Sequence, residues 1–63
     1  MTEEKARSKA EEIVYVYYTM PTIVFACEKR GIKTETKSGK LRKRSDLEAA
    51  LIDAMTKEFM EKQ

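Results

Sequence analysis

Apolar residues recur at helical spacing in three separate stretches of this chain. In the first, Ala6, Ala10, Ile13 or Val14, and Tyr17 share one face, while Glu3, Glu4, Lys5, Lys9, Glu11 and Glu12 fall largely elsewhere around the wheel. Thr2 followed by two glutamates reads as a helix start, because a hydroxyl caps a first-turn amide and acids complement the positive end of the helix dipole. The spacing predicts a helix over 3–18. Taken alone, the β-branched and aromatic residues at 13–18 favour a strand, but the Glu, Lys, Ala and Arg upstream are strong helix formers that carry a helix into them.

The second stretch opens at Pro21, which suits a first helical turn where its missing amide proton has no partner to lose. It closes at Gly31, which can adopt the left-handed backbone that ends a helix, with Lys29 and Arg30 at the negative end of the dipole. A helix over 21–30 follows. In the third stretch, Leu47, Ala50, Leu51, Ala54, Met55 and Phe59 form a sustained stripe that Ile52 and Met60 widen. Ser45 is the expected cap, with Glu48 three positions later completing a capping box, and the helix is expected over 45–61.

Between these helices, 32–43 alternates polar residues around the turn-forming pair Ser38-Gly39, with only Ile32 and Leu41 as apolar anchors. An extended loop pinned at those two residues is one reading, and a wing-like hairpin closed at Ser38-Gly39 is the other. The expected fold class is mostly α: a small three-helix domain over 1–63, with an extended basic loop or short β-hairpin before the last helix.

Size changes the picture, because a 63-residue chain buries too little surface to be more than marginally stable unless something supplements its core. Oligomerisation is the available supplement. Two helices carry apolar residues beyond a single stripe, which predicts a homodimer or partner interface at Tyr15, Tyr18, Ile52, Met55, Phe59 and Met60. A lone cysteine, Cys27, and the absence of histidine exclude an intrachain disulfide and a Cys/His zinc site. No metal or cofactor is expected. The uncharged run 13–27 is shorter than the roughly 20 residues a membrane-spanning helix needs, holds three tyrosines and is interrupted by Pro21. It reads as core rather than membrane. The acidic start Met-Thr-Glu-Glu-Lys differs from a secretory signal, and a cytoplasmic location is the expectation.

Charge adds the strongest functional signal. Residues 29–44 hold eight basic side chains and one acid, while both flanks are acidic, so a net charge of +2 conceals a polarised chain. Bases gathered between two helices attract a polyanion, and the amides at the start of the last helix bind phosphate oxygens. Catalysis has no such support: there is no histidine to serve as a general base, Cys27 has no imidazole partner, and Ser38-Gly39-Lys40 lacks the glycines of a phosphate-binding loop. The chain reads as a non-enzyme without a small-molecule substrate. Candidate phosphate contacts are Lys33, Lys37, Lys40, Arg42, Lys43 and Arg44. With no aromatic residue among them, a duplex backbone, DNA in particular, is favoured over stacked single strands.

The succession Glu28-Lys29-Arg30-Gly31-Ile32, then Ser38-Gly39-Lys40, then Arg44-Ser45-Asp46-Leu47-Glu48-Ala49-Ala50-Leu51-Ile52 resembles the helix, extended loop and helix of SAP and related HeH/LEM-like domains, over about 21–52. The resemblance implies DNA or chromatin-type binding through Lys37, Lys40, Arg42, Lys43 and Arg44. The segment from Gly31 to Leu47 is several residues longer than a typical SAP loop, and the first helix lies outside the motif. The alternative reading is a regulator that docks on a host protein through apolar and basic surfaces, as small phage or mobile-element factors do.

Overall fold

The computed structural model describes residues 1–62; Gln63, the last position of the expected domain, lies outside the described residues. Among the described residues there are three α-helices: α1 (Glu3–Glu12), α2 (Met20–Lys29) and α3 (Arg44–Glu61). A π-helical turn, Ile13–Tyr17, continues α1. Among the described residues no helix is long and apolar enough to cross a membrane. The longest element, α3, is the centre of the fold, and α1, the π-turn and α2 all pack on it. The core joins Ala10 and Val14 to Ile23, Ala26 and Cys27 of α2 and to Leu47, Leu51, Ile52 and Met55 of α3.

The start of α1 follows the sequence: the Thr2 hydroxyl accepts the Lys5 amide at 3.2 Å, and Glu3 and Glu4 occupy the first turn. The continuation does not. At the end of the π-turn the Tyr18 amide donates to the Ile13 carbonyl, five residues back, at 3.2 Å. Each turn there holds more residues than an α-turn, so the buried face passes from Ala6, Ala10 and Val14 to the half-buried Tyr18. Tyr17, predicted on the core face, therefore stands in solvent.

The ends of α2 obey local rules. Pro21 occupies the first turn, and the Gly31 backbone has a φ of 74°. The Gly31 amide donates to the Glu28 carbonyl at 3.0 Å and the Ile32 amide to the Cys27 carbonyl at 2.9 Å, the paired bonds of a Schellman ending. Ile32 then packs against the core, which completes the motif with its hydrophobic contact.

From Ile32 the chain forms the sharper of the two expected arrangements, a minimal hairpin. Glu35 and Leu41 lie opposite each other as an isolated antiparallel bridge. The Thr36 amide donates to the Lys40 carbonyl at 2.7 Å, the Gly39 amide to the Thr36 carbonyl at 3.0 Å and the Arg42 amide to the Thr34 carbonyl at 2.8 Å. With Gly39 at a φ of 85°, this is a three-residue loop whose glycine takes the left-handed position. Leu41, expected as an anchor, is half exposed, so backbone bonding rather than burial closes the hairpin.

Two features of α3 correct the sequence reading. Helix α3 begins at Arg44, one residue before the expected cap, and no side chain caps it. Glu48 does not form a capping box with Ser45; it accepts the Arg44 Nε at 3.1 Å, one helical turn away. Ile52 and Met55, expected at an interface with another chain, are 1% and 4% exposed inside this one. Packing of α1 and α2 on α3 covers an arc broader than a single stripe. The buried Thr56 on that arc satisfies its hydroxyl by donating to the Ile52 carbonyl at 2.7 Å.

Candidate nucleic-acid interface

The hairpin gathers the basic residues that the sequence singled out, but not on equal terms. Lys33, Lys37, Lys40 and Lys43 are exposed. Among the described residues no carboxylate forms an ion pair with any of them. The arginines are engaged within the fold. Arg42, half-buried, donates from Nη1 to the Lys33 carbonyl at 2.8 Å, tying the two hairpin arms together. Arg44 donates from Nη2 to the Tyr18 carbonyl at 3.2 Å and pairs with Glu48, fixing the start of α3 to the end of the π-turn. The six candidates thus separate into four presented ammonium groups and two guanidinium braces.

This division follows from side-chain chemistry. A planar guanidinium offers five donors in a fixed geometry and can satisfy a carbonyl and a carboxylate together, whereas a lysine ammonium remains strongly hydrated at the end of a flexible stem. Arg30, next to the hairpin, follows the same rule. Its Nε and Nη2 hold both carboxylate oxygens of Glu58 at 2.7 and 3.0 Å, and its Nη1 reaches the Ala26 carbonyl at 3.0 Å. The hydrogen bonds from Arg30 hold the Glu58 carboxyl below the ordinary glutamate range.

Acids limit the positive surface on one side. Between the hairpin and the first turn of α3 lies a shallow groove lined by Lys33, Glu35, Thr36, Lys37, Arg42 and Asp46. Glu35 and Asp46 share that groove with Lys33, Lys37 and Arg42, so its charge is mixed. At the tip, the Thr36 and Ser38 hydroxyls lie 2.9 Å apart and the Lys40 amide donates to the Thr36 hydroxyl at 3.3 Å. These bonds hold Lys37 and Lys40 on either side of a defined turn.

The partner-interface residues are dispersed. Ile52 and Met55 are in the core; Tyr18 and Phe59 are half-buried and packed against it, with the Lys9 ammonium 5.2 Å from the centre of the Phe59 ring. Met60 is also half-buried. Only Tyr15 of that set is well exposed, and it stands beside Val16, which like Tyr15 falls off the main stripe of the first helix, and Tyr17, which the spacing placed on the core face. Phe25 is exposed too, on the edge of a groove of about 590 Å³ that Tyr18, Thr22, Lys29 and Lys62 help to line. No sequence signal marks the π-turn that exposes Tyr17, whereas Phe25 could have been found: it falls off the α2 face defined by Ile23, Ala26 and Cys27.

Cys27 is buried, and burial pushes its thiol above the ordinary cysteine range. Its nearest polar partner is the Leu47 carbonyl, 3.8 Å from Sγ. A protonated thiol in this position fills space between α2 and α3 and is a poor nucleophile. Comparison with known proteins returns no matching family model, no matching curated protein and no matching solved structure.

Proposed function

We propose that the chain binds nucleic acid, duplex DNA foremost, by bringing the exposed lysines of the hairpin to the phosphate backbone. One observation carries this reading: Lys33, Lys37, Lys40 and Lys43 are all exposed and without ion-pair partners among the described residues, on a hairpin whose backbone is already hydrogen-bonded. Little ordering is then needed on binding, which lowers the entropic cost of contact. The uncapped first amides of α3 beside Lys43 add donors for phosphate oxygen. The resemblance of 21–52 to SAP-like domains supports the same surface.

Lysine ammonium groups read phosphate charge rather than base identity. Neutralisation of four phosphates gives a slope of log affinity against log salt near ~−3.6 on duplex DNA. Replacing Lys37 and Lys40 together with alanine is expected to make that slope shallower by about 1.8, on every duplex sequence alike and with unchanged thermal stability. Titration of duplex DNA, single-stranded DNA and RNA at several salt concentrations tests the proposal. No binding at low salt, or a salt-independent affinity, overturns it.

A further inference from the structure

The groove between α2 and the end of α3 collects flat and charged side chains that lie far apart in the sequence. From α2 come Phe25, Lys29 one helical turn later, and Arg30; from the end of α3 come Glu58 and, one turn later, Lys62; Tyr18 completes the set. Phe25 keeps 66% of its area exposed, and Tyr18 is half-buried. We propose that this groove takes one unpaired nucleotide of a single strand, its base stacked on the aromatic rings and its phosphates held by Lys29 and Lys62. The inference rests on the nucleic-acid reading above and adds a contact that the hairpin does not supply. No aromatic residue occurs within the basic stretch 29–44, and the fold brings Phe25 and Tyr18 beside its first lysine.

Charge selects an anion. Among the described residues Glu58 is the only acid lining this groove, and both of its carboxylate oxygens accept from Arg30, at 2.7 and 3.0 Å. That pair is neutral as a unit, so the charge offered to an occupant is that of the Lys29 and Lys62 ammonium groups. Both are exposed, and neither forms an ion pair among the described residues.

Flat surfaces favour a base over a carboxylate. An acidic peptide draws its strongest contacts from the N–H edge of a guanidinium. Arg30 has committed three of its five N–H groups, two to Glu58 and one to the Ala26 carbonyl. A guanidinium held by its edge has its faces left, and such faces, like aromatic rings, are surfaces on which bases stack. The groove measures about 590 Å³, within the range of about 300 to 1,000 Å³ of sites that hold small molecules. Every base has a π-face, so stacking here accepts any of them.

Binding of a short fluorescent oligothymidylate, set against an abasic oligonucleotide of the same length and charge, tests the proposal. The wild type is expected to hold the oligothymidylate about tenfold more tightly. Phe25→Ala should abolish that preference while leaving the affinity for blunt duplex DNA and the helical circular dichroism unchanged. Phe25→Trp should keep the preference, and its indole, the only one in a chain without tryptophan, should be quenched by the oligothymidylate and not by the abasic strand. Replacing Lys29 and Lys62 together with alanine is expected to make the salt slope on oligothymidylate shallower by about 1.4. Absence of binding to any nucleic acid at low salt overturns both readings. Duplex binding with equal affinity for the two single strands, or a preference that survives Phe25→Ala, overturns this one alone. Tighter binding of an acidic phenylalanine-containing peptide than of oligothymidylate, lost in Phe25→Ala, also overturns it and assigns the groove to a protein partner.

Discussion

In the uncharged stretch 13–27, Val14, Ile23, Ala26 and Cys27 are buried, while Tyr15, Val16, Tyr17 and Phe25 stand in solvent. In the basic stretch 29–44, five lysines are exposed, while Arg30, Arg42 and Arg44 are bonded to groups of the fold. Each stretch thus divides its side chains between two tasks that its composition does not distinguish. The first supplies both core and exposed apolar surface. The second supplies both braces and free charge. Composition fixes what a segment has available, and the surroundings of each position decide how it is used.

Neighbouring pairs of residues provide the sharpest test of that division. Ile23 is fully buried and Phe25, two positions later, is mostly exposed. Replacing Ile23 with alanine is expected to cost about 3 kcal/mol, enough to leave so small a domain largely unfolded, whereas Phe25→Ala should cost less than about 0.5 kcal/mol. Urea denaturation followed by circular dichroism measures both. Equal costs would show that exposure does not separate the two positions.

A smaller effect is expected at the boundary between the stretches. A Cβ added at Gly31 meets nothing within 4 Å, but the backbone there holds a φ of 74°. Gly31→Ala is therefore expected to lose about 1 to 2 kcal/mol from the left-handed conformation alone. Its thermal denaturation midpoint should fall without evidence of altered packing in the near-ultraviolet spectrum.

The smallest effect separates Arg30 from Lys29. Arg30 pairs with Glu58, yet both side chains remain partly exposed at 24% and 37%. Solvent screening limits the loss in Arg30→Ala to about 1 kcal/mol, and Lys29→Ala should be close to neutral. The Glu58 carboxyl is held low by its bonds to Arg30. The stability contributed by the pair is accordingly complete above the ordinary glutamate range and is lost as pH falls through the lowered value. A stability profile from pH 7 into the acid range should flatten in Glu58→Gln relative to the wild type.

Much of the local structure was legible in the sequence because its causes are local. Thr2 caps α1, Pro21 sits in the first turn of α2 and Gly31 closes it, since hydroxyl, pyrrolidine and glycine each act within a few residues. The exposure of Lys33, Lys37, Lys40 and Lys43 was equally legible, because these side chains need only solvent around them. Where local signals competed, the reading failed. Ser45 and Glu48 fit a capping box, but Arg44 offered Glu48 an ion pair and joined the helix itself. Ile52 looked surplus to the stripe, and Met55 within it available to a partner, until α1 and α2 both packed on α3.

The sequence by itself determined a mostly helical chain with a cationic connection between α2 and α3, because helical periodicity, turn chemistry and charge are properties of neighbouring residues. Only the tertiary structure decided which cations are free and which apolar residues are exposed. Arg30 is a brace because Glu58, twenty-eight positions away, lies opposite it. Tyr17 is exposed because the π-turn carries the buried face on to Tyr18. Both outcomes depend on how helices far apart in the chain meet, and contact between distant segments has no signature in the spacing of either one.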